Sequence, residues 1–163
     1  MAKRIFLFVL AAFLASGVLF AQERMPSNVR DNWISFEGTL LVGVGLQYER
    51  MLNSRFSLVV NARANLLFPA VLDVGLAAMV RYYPWERSFF AGLGLGYQLL
   101  AVPCGGGFYG LGLTPEVGWK LDIGEEGGFF IQPGIRLPIV FAVRSPFRVV
   151  FFPSVYLGLG FAF

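Results

Sequence analysis

From residue 34 to residue 48 every second position is apolar or bare. Ile34, Phe36, Gly38, Leu40, Val42, Val44, Leu46 and Tyr48 alternate with Ser35, Glu37, Thr39, Leu41, Gly43, Gly45 and Gln47. A period of two is the strand period, because successive side chains leave opposite faces of an extended chain. The same alternation predicts further strands over 56–68, 73–83, 89–100, 108–123, 129–141 and 148–163, seven in all. Short segments rich in Pro, Gly, Asn and Ser separate them, among them 51–54, 84–88, 103–107, 124–128 and 144–146. Strands joined this closely form antiparallel hairpins.

The second face identifies the surroundings. In each strand the apolar residues set the frame, and the in-strand charges Glu37, Glu49, Arg63, Asp73, Arg81, Glu116, Lys120, Asp122, Arg136 and Arg148 all fall opposite them. Most of the in-strand glycines share that face, including Gly43, Gly45, Gly92, Gly94, Gly96, Gly110, Gly112 and Gly118. A soluble sandwich would cover its outer face with Lys, Glu and Thr. Bare residues instead suit the inside of a narrow cylinder, where side chains converge. The apolar face then touches lipid, since an unpaired charge there costs roughly 2–4 kcal/mol at mid-depth. An open sheet edge in hydrocarbon would leave backbone groups unsatisfied, so the sheet closes on itself. The expected fold is all-β, a closed antiparallel transmembrane barrel over residues 33–163. Outward aromatics gather near strand ends as two girdles, with Tyr48, Tyr82, Trp119 and Phe129 marking one of them.

Composition agrees. Of 163 residues 56% are hydrophobic and 14% charged, with 20 glycines; a soluble domain carries roughly 25% charged residues and about 7% Gly. Lys3 and Arg4 precede an apolar run to Phe20 and a small residue, Ala21, ahead of polar Gln22 and Glu23. This predicts a secretory signal over 1–21, cut after Ala21, and a polar segment over 22–32 before the barrel. The chain has no histidine. Triads, Cys-His dyads and His-ligated zinc are therefore excluded on stoichiometry. Cys104 stands in a glycine-rich loop without a basic activator nearby. Gly105-x-Gly107-x-x-Gly110 spells a dinucleotide fingerprint, but a strand follows where that motif needs a helix. No cofactor, metal site or catalytic residue is expected. With no run of Lys or Arg there is no footprint for nucleic acid either.

The end of the chain carries a resemblance. Val155, Leu157, Leu159, Phe161 and Phe163 alternate with Ser154, Tyr156, Gly158, Gly160 and Ala162, and the chain stops on Phe163. This resembles the last strand of bacterial outer-membrane β-barrel proteins. The hairpin around residues 48–57 and the Arg81-Tyr82-Tyr83-Pro84 turn are similar to those of small eight-stranded barrels of the OmpA, OmpX and OmpW kind. The resemblance implies residence in the outer membrane as a monomer among lipid and lipopolysaccharide, with Phe161 and Phe163 as the signal read by the barrel-assembly machinery. Two features depart from it. Seven strands is an odd number, whereas such barrels have an even one. Either two short strands are merged around Gly43 and Gly45, or the N-terminal segment threads the lumen, or the closure is unusual. Pro115, Pro133 and Pro153 also fall inside strands, where proline removes a ladder donor.

Three classes of function follow. Balanced signs on the inner face favour a structural or interaction barrel whose charges pair into a filling network; the alternative is a narrow channel or carrier for ions or small hydrophobic molecules. A lipid-modifying enzyme ranks below both, since barrels of that type rely on histidine. A polytopic helical protein is disfavoured by the glycines of the charge-free stretch 88–115.

Overall fold

The computed structural model describes residues 31–40, 42–67, 71–85, 88–102, 106–123, 128–142, 149–151 and 153–163. The predicted signal segment, most of the polar segment after it, Cys104 and Arg148 lie outside them. Every described element is a strand: β1 Asn32–Thr39, β2 Gly43–Met51, β3 Phe56–Leu67, β4 Val71–Trp85, β5 Phe89–Val102, β6 Gly106–Trp119, β7 Leu121–Ile123, β8 Phe129–Arg136, β9 Ile139–Ala142, β10 Val149–Phe151 and β11 Ser154–Ala162. The described residues of the charge-free stretch 88–115 thus fall almost entirely in β5 and β6, which pair antiparallel. All pairings are antiparallel and belong to one sheet, which closes where β1 meets β11.

The eleven strands make eight staves, because β6 with β7, β8 with β9, and β10 with β11 each continue one line. Proline explains the interruptions. β7 keeps the register that β6 holds against β8, Gly118 facing Gly134 and Leu121 facing Ile131, and the ladder lapses only beside Pro133. The gap between β8 and β9, at Leu137 and Pro138, faces Pro115, whose carbonyl still accepts from the Leu137 N–H at 3.0 Å. Pro153 lies between β10 and β11. Each missing N–H is placed where the ladder pauses.

The stretch 34–48 is two strands, which corrects the count of seven to eight. β1 and β2 turn through Leu40 and Val42, with the Val42 N–H donating to the Thr39 carbonyl at 3.2 Å. Val42 adopts φ 58°, a left-handed conformation that is costly for a β-branched residue. Sequence reading missed the turn because it is apolar, and its apolarity follows from its depth.

That depth comes from the register. Stepping round the sheet from Gly118 through Gly134, Tyr156, Thr39, Gly43, Asn65, Asp73 and Leu100 returns to β6 at Phe108, ten residues from the start. Eight strands with a shear of ten tilt by about 40°, so each residue adds about 2.5 Å of height. One rim is level. It carries a belt of touching aromatics, with ring centroids 5.1 Å apart for Phe56 and Tyr82, 5.3 Å for Phe89 and Trp119, and 5.2 Å for Phe129 and Phe161. Above this belt the walls differ. The 14-residue strands β5 and β6 rise about 35 Å, whereas the 8-residue β1 rises about 20 Å. An apolar band of roughly 25 Å therefore engulfs the tip of the β1–β2 hairpin, where Leu40 and Val42 are exposed.

Candidate functional site

The interior has three levels. At the belt end, Trp33, Met51, Tyr83, Phe90, Phe130 and Ala162 form a buried apolar cluster. Glycines make room for it. A Cβ on Gly160 would lie 2.2 Å from Phe130 Cζ, and one on Gly118 would lie 2.6 Å from Phe90 Cζ. Inside a narrow cylinder a ring can lie flat against the wall only where the facing residue has no side chain. Lys120, in the pause between β6 and β7, reaches into this cluster. Its ammonium sits 3.5 Å from the Trp33 ring centroid and 5.1 Å from that of Phe130, and it donates to Glu49 Oε2 at 2.8 Å.

The middle level is a charge network. Arg81 on β4 donates from Nη1 to Glu49 Oε2 at 2.7 Å, from Nη2 to Gln47 Oε1 at 2.8 Å, and from Nε to Glu116 Oε1 at 2.8 Å. Arg136 on β8 grips Glu37 with both Nη atoms, at 2.5 and 2.7 Å, and donates from Nε to Glu116. Ser57 Oγ and Tyr83 Oη each donate to Glu49 Oε1 at 2.5 Å, and Tyr156 Oη donates to Glu116 Oε1 at 3.0 Å. The guanidinium carbons also sit over rings, Arg81 4.2 Å from the Phe90 centroid and Arg136 4.0 Å from that of Tyr156. Three carboxylates thus meet three cations, and with Ser57 and Tyr156 their hydrogen bonds reach every stave except β5. That strand contributes bare Gly92 beneath Arg81, whose Cγ would stand 3.2 Å from an added Cβ. Arg81, Glu49, Glu116 and Arg136 are all buried. Ions desolvated this far are tolerable only when their hydrogen bonds are complete.

The third level lies above, towards the uneven rim, and is less well bonded. Asn65 Nδ2 donates to Asp73 Oδ2 at 2.9 Å, while Arg63 Nε stays 3.8 Å from the same oxygen. Arg63 Nε and Nη2, Asp73 Oδ1, Gln98 Oε1 and Thr114 Oγ1 are buried without a hydrogen-bond partner among the described residues.

Of the ten charges that the alternation turns inward, eight are buried in the lumen: Glu37, Glu49, Arg63, Asp73, Arg81, Glu116, Lys120 and Arg136. Asp122 is not. All three residues of β7 are exposed, because β7 runs past Lys120 to the rim, where the cylinder ends. Arg148 falls outside the described residues. Tyr48, Tyr82, Trp119, Phe129, Phe161 and Phe163 are exposed on the outer wall, five of them at the belt and Phe163 just beyond β11. Sequence reading passed over Gln47, Ser57, Tyr83, Gln132 and Tyr156 as network members, although each shares the phase of a charge on its own or a facing strand.

No protein-family model matches the chain, and no curated protein sequence does. Solved structures match the fold. The N-terminal β-barrel domain of Pseudomonas aeruginosa OprF aligns with a TM-score of 0.57 at 14% identity, over 82% of this chain and 96% of that one. Neisserial surface protein A, NspA, aligns with a TM-score of 0.57 at 11% identity, over 82% of this chain and 94% of the other. The chain therefore has the architecture of these small closed barrels.

Proposed function

We propose that the protein is a monomeric outer-membrane barrel with a structural or interaction role in the envelope, closed to solute flow and without catalytic chemistry of its own. The observation that carries this reading is the middle level of the lumen, where Arg81, Arg136, Glu37, Glu49 and Glu116 span the cross-section from stave to stave. A selective pore presents one sign along a wet path. Here the signs cancel and the side chains bind one another, with the aromatic cluster and Lys120 beneath them. The apolar outer wall, the aromatic belt and the likeness to two small barrels support membrane residence. The aromatic-ended alternation from Val155 to Phe163 and the lysine-led apolar run at residues 3–20 support export and insertion by the barrel-assembly machinery, among lipid and lipopolysaccharide.

Planar-bilayer recording tests the reading. The refolded protein is expected to give a silent trace; steady, reproducible conductance steps would favour the channel alternative. Fractionation is expected to place the protein with the outer membrane, as a band whose gel mobility shifts on boiling.

A further inference from the structure

The short β1–β2 hairpin leaves a notch in the barrel wall. Thr39 faces Tyr156, and above that level the eighth stave runs on through β10 to Val149. On the other flank Gly43 faces Asn65, and β3 continues to Leu67. Between these flanks, among the described residues, the wall lacks the width of two strands. β10 pairs with β9 on one side and has no partner on the notch side among the described residues. Leu40, Val42, Leu66 and Phe151 border the notch and are exposed and apolar, as suits a gap at hydrocarbon depth.

Several of the polar atoms left without partners lie on β3 and the two strands after it, on the flank of this gap. Arg63 and Asn65 are on β3, the strand that forms one flank, and Asp73 and Gln98 follow on the next two strands. Arg63 is 7% exposed, Asp73 0% and Gln98 1%. The unpartnered set has two signs of demand. Arg63 Nε and Nη2 form one edge of the guanidinium, the fork that grips a phosphate or carboxylate side-on. Asp73 Oδ1 and Gln98 Oε1 are acceptors awaiting a donor. A purely anionic guest would meet Asp73, and a purely cationic one would meet Arg63. The outer wall next to the notch is grooved, with a volume of about 640 Å³. Ala62 and Ala64 form its floor, and Val44 and Leu46 face Leu76 and Tyr97 across it.

We propose that this notch takes up, sideways from the bilayer, the headgroup of a phosphoethanolamine lipid. The lipid phosphate accepts from Arg63, its ammonium donates to Asp73 and Gln98, and an acyl chain lies along the Ala62–Ala64 groove. Entry turns the long Arg63 and Gln98 side chains towards the gap and leaves the strands in place. The site goes beyond the closed-barrel reading and does not rest on it, since lateral uptake needs no path through the lumen; conductance tests that reading separately.

Native mass spectrometry of the full-length protein, released from detergent containing equal amounts of dioleoyl phosphatidylethanolamine, phosphatidylglycerol and diacylglycerol, tests the proposal. One phosphatidylethanolamine per barrel is expected, favoured roughly tenfold over each of the other two, as loss of one charge-assisted contact implies. Equal retention of all three would overturn it. The double variant Arg63→Gln with Asp73→Asn is expected to erase the headgroup preference, and Ala64→Leu to weaken retention of all three lipids, each in protein that still shows the gel-mobility shift. An unchanged preference in the double variant would also overturn the proposal. Should that variant fail to fold, the comparison of lipids on the natural protein decides.

Discussion

The half of the lumen next to the aromatic belt and the half next to the uneven rim are built from the same residue types to different ends. Near the belt, Arg81 and Arg136 spend their N–H groups on Glu37, Glu49, Glu116 and Gln47, and rings lie against glycine. Near the rim, Arg63 stands 3.8 Å from Asp73, and Gln98 and Thr114 carry atoms without partners. Burial is similar in both halves, and each holds polar atoms without partners, Ser35 Oγ and Asn61 Oδ1 on the belt side; what differs is that the charged groups near the belt are hydrogen-bonded to one another and those near the rim are not. Satisfied networks in a low dielectric hold a single arrangement, while unsatisfied groups cost free energy and keep an affinity for something else. One half is thus suited to rigidity, the other to reception.

Substitutions should separate the two. The largest effect is expected from Arg81→Met, which leaves Glu49 and Glu116 short of a buried partner; stability in lipid vesicles, measured by urea unfolding, should fall by about 3–5 kcal/mol. A loss below about 1 kcal/mol would show that the network is ornamental. Next, Gly160→Ala places a Cβ 2.2 Å from Phe130 Cζ and 2.6 Å from the Ile34 carbonyl oxygen, and overpacking of this kind costs about 1–3 kcal/mol. In the rim half the sign should reverse. Thr114→Val removes an unpartnered buried hydroxyl at nearly constant shape and is expected to stabilise by about 1 kcal/mol; destabilisation would mean that Thr114 has a partner when the protein sits in a membrane. The smallest effect is expected at the hairpin tip, where Val42→Gly relieves the φ of 58° and should raise the thermal midpoint slightly, by no more than about 1 kcal/mol in stability.

Much of this architecture is legible in the alternation. Lipid punishes a charge on the outer face and an unpaired backbone group anywhere, so the zigzag of Phe129 to Arg136 or Ser154 to Ala162 assigns inside and outside without a structure. The same rule hid the first turn. Turns announce themselves by Gly, Asn, Asp or Pro because they usually lie in water, and the tip at Leu40 and Val42 lies at hydrocarbon depth, so it keeps the apolar spelling of a strand. The prolines misled for a related reason: residue 133 or 153 says that a ladder bond is missing, but whether a stave continues past the pause depends on what its neighbour offers.

The amino-acid sequence alone determined the faces: greasy outward, glycine and charge inward, aromatics at the belt, because each residue's exchange between water, lipid and lumen is a local free energy. Which inward groups satisfy one another was decided by the tertiary structure. Arg136 and Glu37 are 99 residues apart in the chain and meet only because eight staves close with a shear of ten. The same closure set the wall heights, leaving Arg63 and Asp73 beside a gap that no local pattern could announce.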